Sequence, residues 1–367
     1  MHVGYGTGFQ HLGGYSDAQF MREELGNCEK AESQGFDSVW VTEHHFDNYS
    51  LSPDVCQLLS YLAGKTKRVK LGSMVIVVPW HDPMRLAEQI VLLDHYSGGR
   101  MILGVGRGLA RREFEGLRID QNEGRQRFNE YTELVLNALE TGFMEGGETV
   151  KQPRREIRPR PFKSFKGRSF AAAASRDSVP VVARLGLGLL VILQKAWDQV
   201  RADFELYHTS WRESHGPHIE PPKPFCSGFC FVDDSADRAE ELARKYLALN
   251  YREALDHYEM LGKHFDTTKS YERYSDLSKY LNQIGADKAV EDYIKLMPWG
   301  TPQQVLEKFD KMKALIDMQG IMPNFFFGGM PHEEAVRNVN CFVKQCMPEL
   351  KSWPATSLTE PAELTAA

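Results

Sequence analysis

Long apolar runs are missing from this sequence. No stretch approaches the ~20 consecutive apolar residues that a membrane span requires, and the opening Met1-His2-Val3-Gly4-Tyr5 has neither the basic nor the apolar region of a secretory signal. No membrane partner and a cytoplasmic location are therefore expected. Cysteine is scarce: six residues in 367, at Cys28, Cys56, Cys226, Cys230, Cys341 and Cys346. Such scatter over a large chain is not a disulfide framework, so reduced thiols are expected. Cys226 and Cys230 fall in a strand-like run, where positions four apart stand roughly 13 Å apart along one face, which favours buried structural cysteines over a metal pair. A basic excess is also lacking. The formal net charge of -6 offers no footprint for a phosphodiester backbone, and nucleic acid is excluded as a partner.

What is present is an ordinary globular composition, 42% hydrophobic and 26% charged, enough to bury a core without disulfides. Short apolar runs alternate with amphipathic stretches, the pattern of parallel strands joined by crossover helices. Strands are predicted at Val3 to Gly6, Asp37 to Thr42, Val69 to Val78, Met101 to Val105, Ser169 to Ala174, Gly188 to Leu193, Phe225 to Val232 and Pro323 to Gly328. Helix starts are predicted at Ser52-Pro53, Asp82-Pro83 and Thr301-Pro302, each a capping oxygen followed by a proline suited to the first helical position. Eight strands could also form an open doubly wound sheet, but no G-x-G-x-x-G follows the first of them. The count points to a closed (β/α)8 TIM barrel, whose usual ~250 residues tolerate insertions past 400. One domain over residues 1–350 and a flexible tail over 351–367 are expected.

Two segments interrupt the alternation, and both are expected on the catalytic side of the barrel if they follow strands. Lys151 to Arg168 carries eight basic residues against Glu156. It reads as a solvated loop or as an attractor for an anionic cofactor. His257 to Gly285 is long, polar and rich in Tyr and Lys, a functional or mobile loop of open role.

Polar groups gather where strands end. Glu43-His44-His45-Phe46 follows the second strand directly, at the rim where catalytic residues of barrels collect. Strand neighbours point to opposite sides, so one histidine is expected at the mouth and one in a structural role. Gly104-Val105-Gly106-Arg107-Gly108 closes the fourth strand. Glycine there admits a flat ligand to the backbone, and Arg107 offers paired donors to a phosphate, as does Arg125. Ser175-Arg176-Asp177-Ser178 follows the fifth strand and leads into a helix, where Ser175 and Ser178 read either as ordinary caps or as phosphate donors.

These residues resemble the bacterial luciferase-like flavin monooxygenases, and in particular the luciferase α subunit. The likeness runs through Gly35 to Trp40 and Glu43 to Phe46, then Gly72 to Pro79, His81 to Glu88, Leu93-Asp94, Ser97, Gly99-Arg100, Arg107-Gly108-Leu109 and Arg125. It ends at Gly300-Thr301-Pro302 and Met347-Pro348. The resemblance implies that Arg107, Arg125 and Ser175 hold the phosphate of FMN while His44 is the acid-base group and Glu43 orients it. It implies reduced FMN supplied by a separate flavin reductase, O2, a C4a-hydroperoxyflavin and oxygenation of a small organic substrate. A cis peptide between Met74 and Val75 and a homodimer through the second and third helical units are further implications. This chain departs from the family at Gly106, where luciferase has a reactive cysteine; space beside the flavin and an oxygenase without light emission are expected. Three rival readings stand beside it. One is a deazaflavin-dependent oxidoreductase, one a metal-dependent barrel hydrolase with Glu43, His44 or His45 as ligands, and one a noncatalytic barrel subunit. Tyr5, Phe9, Trp80, Phe326 and Phe327 are consistent with an apolar ligand or with core packing.

Overall fold

The computed structural model describes residues 1–14, 16–173, 175–355, 358 and 362–364. Eight parallel strands close on themselves: β1 His2–Thr7, β2 Ser38–Val41, β3 Lys70–Ser73, β4 Met101–Gly106, β5 Ser169–Ala172, β6 Gly188–Ile192, β7 Phe225–Phe229 and β8 Gly320–Asn324. Each pairs with the next, and β8 returns to β1 through Gly320 opposite His2 and Asn324 opposite Gly6. The (β/α)8 barrel is therefore closed. No helix among the described residues is long and apolar enough to cross a membrane.

Alternation along each strand builds two cores. In β2, Val39 and Val41 face outward to the helices. Trp40 faces inward with Met74, Ile102, Phe170, Leu190, Phe225 and Met322. The indole fits at the barrel centre because Gly4 and Gly72 lack side chains: a Cβ on Gly72 would lie 2.3 Å from the ring. Its Nε1 donates to Ser38 Oγ at 2.6 Å. All six cysteines are free thiols, five of them buried.

The predicted strands need adjustment. Val69 to Val78 breaks at the cis Met74-Val75 bond into β3 and a short piece, Ile76–Val77, that pairs with β4. Phe225 to Val232 splits likewise, and Phe231–Val232 leaves the barrel to pair with Trp299–Gly300. The last strand begins at Gly320 rather than Pro323 and stops at Asn324. Phe325, Phe326 and Phe327 beyond it are buried against the helices.

Two helix starts are as expected. Asp82 accepts from Arg85 N at 2.9 Å ahead of Pro83, and Thr301 forms a reciprocal capping box with Gln304. The Ser52-Pro53 start is wrong. The Ser52 hydroxyl donates to Thr42 O at 2.6 Å, leaving Asp54 to cap Val55–Lys65 by accepting from Gln57 N.

The basic segment lies on the opposite face from the one expected, because it follows the helix Gly124–Thr141 and precedes β5. It meets helix C-termini at the barrel floor: Arg160 O accepts from His95 Nε2 at 2.8 Å, and Lys163 Nζ donates to Gly98 O at 3.2 Å. It cannot guide an anion into the mouth at close range. The tail is also more engaged than expected. The helix Met347–Ser352 runs into it, Ser164 N donates to Ala362 O and Leu364 N donates to Phe162 O, each at 2.8 Å. Residues 356–357, 359–361 and 365–367 lie outside the described residues.

The second interruption does follow a strand, β7, and covers the rim, but not as a loop. Helices Ala236–His257, Glu272–Ile284 and Ala286–Leu296 build it. Leu255, Met260, Phe265, Tyr271, Leu281 and Ala289 give it a small core of its own, so its aromatics hold it together instead of leaving it open.

Candidate functional site

The rim begins where β2 ends. Glu43 is buried and accepts from Val77 N and His81 Nε2, both at 2.7 Å, with His45 Nε2 at 3.4 Å. It thereby ties the end of β2 to the piece beyond β3. Burial pushes its carboxyl up, but the His81 charge and these hydrogen bonds outweigh burial and bring it below its usual value. The same contact raises His81 against its own burial.

The two histidines diverge. His45 turns to Glu43 and to the Trp80 ring, 5.3 Å away. His44 turns the other way, with Nδ1 donating to Glu113 Oε1 at 3.0 Å and Nε2 facing the Tyr258 hydroxyl at 3.3 Å. Glu113 also accepts from His45 N at 2.8 Å. Its second oxygen is buried without a partner. Burial would raise this carboxyl, but the charges and hydrogen bonds of His44 and His257 bring it down to about 2. His257, at the end of the rim helix, directs Nδ1 to Asp47 Oδ2 at 2.8 Å, and Arg112 Nη1 donates to the same oxygen at 2.8 Å.

A second focus lies at the ends of β4 and β5. Arg125 Nη2 donates to Ser178 Oγ at 2.8 Å, and Ser178 shares a 2.7 Å hydrogen bond with Ser175. Arg125 Nη1 is buried with no partner. Burial, and next to it the charge of Arg107, lower this guanidinium to about 10. Two cations thus sit side by side with no carboxylate among the described residues hydrogen-bonded to either. Arg107 Nη1 donates to Ser270 O at 2.7 Å and lies 4.0 Å above the Tyr271 ring, so the rim insertion caps this pair. The cluster has the donor chemistry of a phosphate site.

Gly106 does not open space. A Cβ there would stand 2.3 Å from Val75 Cγ2, so the volume vacated by the missing side chain is filled by valine across the cis bond. The expectation of added room, and the argument against light emission drawn from it, are corrected accordingly. Beside the site, a cleft of about 70 Å³ is lined by Ala173, Leu190, Ile192, Gln194, Lys195 and Arg273 among others. Of the aromatic residues considered as ligand contacts, Tyr5, Phe9, Phe326 and Phe327 are buried in the core, and Trp80 stands at the rim against His45 and Phe114.

The structure therefore gathers Arg107, Arg125, Ser175 and Ser178 at one place and His44 at another on the same rim. Glu43, His44 and His45 do not converge on one point; the carboxylate that meets His44 is Glu113. Sequence reasoning missed Glu113, His257 and Asp47. Glu113 sits in the charged run Arg111-Arg112-Glu113, which reads as a solvated helix face, and His257 is 144 positions beyond it in sequence, with no local signal to join them.

Known proteins resemble this chain over most of its length. The family described as luciferase-like monooxygenase matches residues 1–317. The alkanal monooxygenase alpha chain of Photorhabdus luminescens is 26% identical over 345 residues, covering 92% of this chain and 94% of that protein. The oxygenase component of a flavin-dependent trigonelline monooxygenase from Acinetobacter baylyi is 24% identical over 356 residues, covering 93% and 94%. In fold, a monooxygenase from Streptomyces bottropensis matches with TM-score 0.72 at 23% identity, over 95% of this chain and 100% of that one. A secondary alcohol dehydrogenase described as F420-dependent matches with TM-score 0.67 at 15% identity, over 94% and 97%.

Proposed function

The chain belongs to the luciferase-like monooxygenase family, and from that premise we propose that it is an FMN-dependent monooxygenase. In this reading it takes reduced FMN from a separate flavin reductase and uses O2 to oxygenate a small, mostly apolar organic substrate. The observation that carries the reading is the buried, unpartnered Nη1 of Arg125 beside Arg107. A buried cation with a free donor and a like charge for a neighbour is stabilised by an anion, and a phosphate dianion fits both guanidinium groups and the Ser175-Ser178 hydroxyls.

Reduced FMN, when bound, supplies the electrons for oxygen activation; the chain's own residues do the rest. Arg107, Arg125, Ser175 and Ser178 bind and orient the phosphate. His44 holds or moves a proton, with its ring fixed through Nδ1 by Glu113. The rim insertion excludes water through Tyr258 over His44 and Tyr271 over Arg107. Tyr61, Leu92 and Tyr96, exposed on the helices Val55–Lys65 and Pro83–Ser97, support a homodimer through those helices.

The test is anaerobic titration with photoreduced FMN followed by oxygen uptake with an added flavin reductase. Tight binding that His44→Ala leaves intact, with a ~10²–10⁴-fold loss of substrate-dependent turnover, is the expected result. Preference for a reduced deazaflavin over reduced FMN would overturn it in favour of the oxidoreductase reading.

A further inference from the structure

The cluster around Glu113 contains more than the orientation of one histidine requires. His44, Glu113 and His257 each offer one ligand atom, and the three lie within 4.8 Å of one another. The closer separations are 3.0 Å from Glu113 Oε1 to His44 and 3.5 Å from Glu113 Oε1 to His257. A tetrahedral ion with bonds of ~2.0–2.1 Å sets its ligands roughly 3.3 Å apart. Two of the atoms are otherwise unexplained: Glu113 Oε2 and His257 Nε2 are both buried without hydrogen-bond partners.

The surroundings decide which atom of His257 is available. Its Nδ1 is taken up by Asp47 at 2.8 Å, so Nε2 is the ring nitrogen turned toward Glu113, 3.5 Å from Oε1. Asp47 behind His257, itself fixed by Arg112, is the carboxylate–histidine arrangement that orients a metal-ligating imidazole and strengthens it as a donor. Two imidazoles and one carboxylate select a zinc-class transition metal over Mg²⁺ or Ca²⁺, which take oxygen ligands.

We infer that His44, Glu113 and His257 form a site for a zinc-class divalent cation that captures the His44 ring. Binding is a property of the chain itself. Its consequence, a metal-inhibited enzyme, rests on the monooxygenase reading, because the cation replaces the proton on Nδ1 of the proposed acid-base group.

The experiment uses the full chain without flavin, with Zn²⁺ in calorimetry and Co²⁺ as the visible-absorption probe. One Zn²⁺ per chain is expected, with the intense Co²⁺ bands of a four-coordinate site. Glu113→Gln and His257→Gln are expected to abolish both signals, and Asp47→Asn to weaken binding ~10–100-fold. Cys341→Ser, which removes the half-buried thiol as an alternative ligand, is expected to change nothing. Circular dichroism of each variant separates lost ligation from lost folding. No Zn²⁺ binding, or binding that His257→Gln and Asp47→Asn leave unchanged in folded protein, overturns the site whatever the flavin titration shows. Binding to the chain without inhibition of turnover would instead count against the role given to His44.

Discussion

Two arginines at opposite ends of the barrel are treated in opposite ways. Arg168 at the floor is paired through both terminal nitrogens with Asp94, at 2.6 and 2.8 Å. Its other donors go to Ser164 O, Met101 O and Lys163 O, and the guanidinium lies 3.8 Å over the Phe165 ring. Among the described residues, Arg125 at the rim has one hydrogen-bond partner, the Ser178 hydroxyl, one buried nitrogen with none, and another cation beside it. A buried charge with every donor matched belongs to the fold. One left unmatched beside a like charge stands ready for a ligand.

The comparison breaks first at the floor. Asp94→Ala leaves Arg168 buried without its counter-charge and is expected to cost ~3–5 kcal/mol, read as a shift in the urea midpoint. Comparable loss from Arg125→Met would erase the distinction between the two ends. Next is acid. Glu113 is held at about 2 against its ordinary 4.5, so its contribution is present in full above 4.5 and is lost as pH falls through about 2. The stability gap between the wild type and Glu113→Gln is thus expected to close over that window, by roughly 3 kcal/mol, in acid unfolding followed by circular dichroism.

Arg125→Met is the rim counterpart of the Asp94 variant. It is expected to leave the melting temperature unchanged or higher, since an unpaired buried charge is replaced by an apolar chain. The same change weakens reduced FMN binding ~10–100-fold, the loss of a charge-assisted contact. Smallest is the packing exchange at the cis bond. Gly106→Ala drives a methyl into Val75 and is expected to cost ~1–3 kcal/mol, and Val75→Ala in the same chain to recover most of it. If the double variant is no more stable than the single one, the two positions do not share a volume.

How much of this was legible beforehand differs by element. Caps at Asp82 and Thr301 are local hydrogen bonds between residues three apart, and local patterns survive in sequence. Ser52 failed because its hydroxyl had a better partner ten positions back in Thr42. The basic run was placed on the wrong face because periodicity does not say whether a loop leaves a strand or enters one. His44 and Arg107 were found because each stands beside a strand end, and Arg125 because it opens a helix and matches the family resemblance. Glu113, Asp47 and His257 were not, since nothing near any of them in sequence marks a shared destination.

The sequence by itself determined the alternation that makes a barrel, the outward and inward faces of β2, and the set of rim residues that follow strand ends, because these depend on neighbours a few positions away. Only the tertiary structure decided that Arg125 keeps an unmatched donor, that Val75 fills the place beside Gly106, and that one carboxylate stands between two histidines. Those facts depend on which distant groups reach an atom first, and that competition is settled in space.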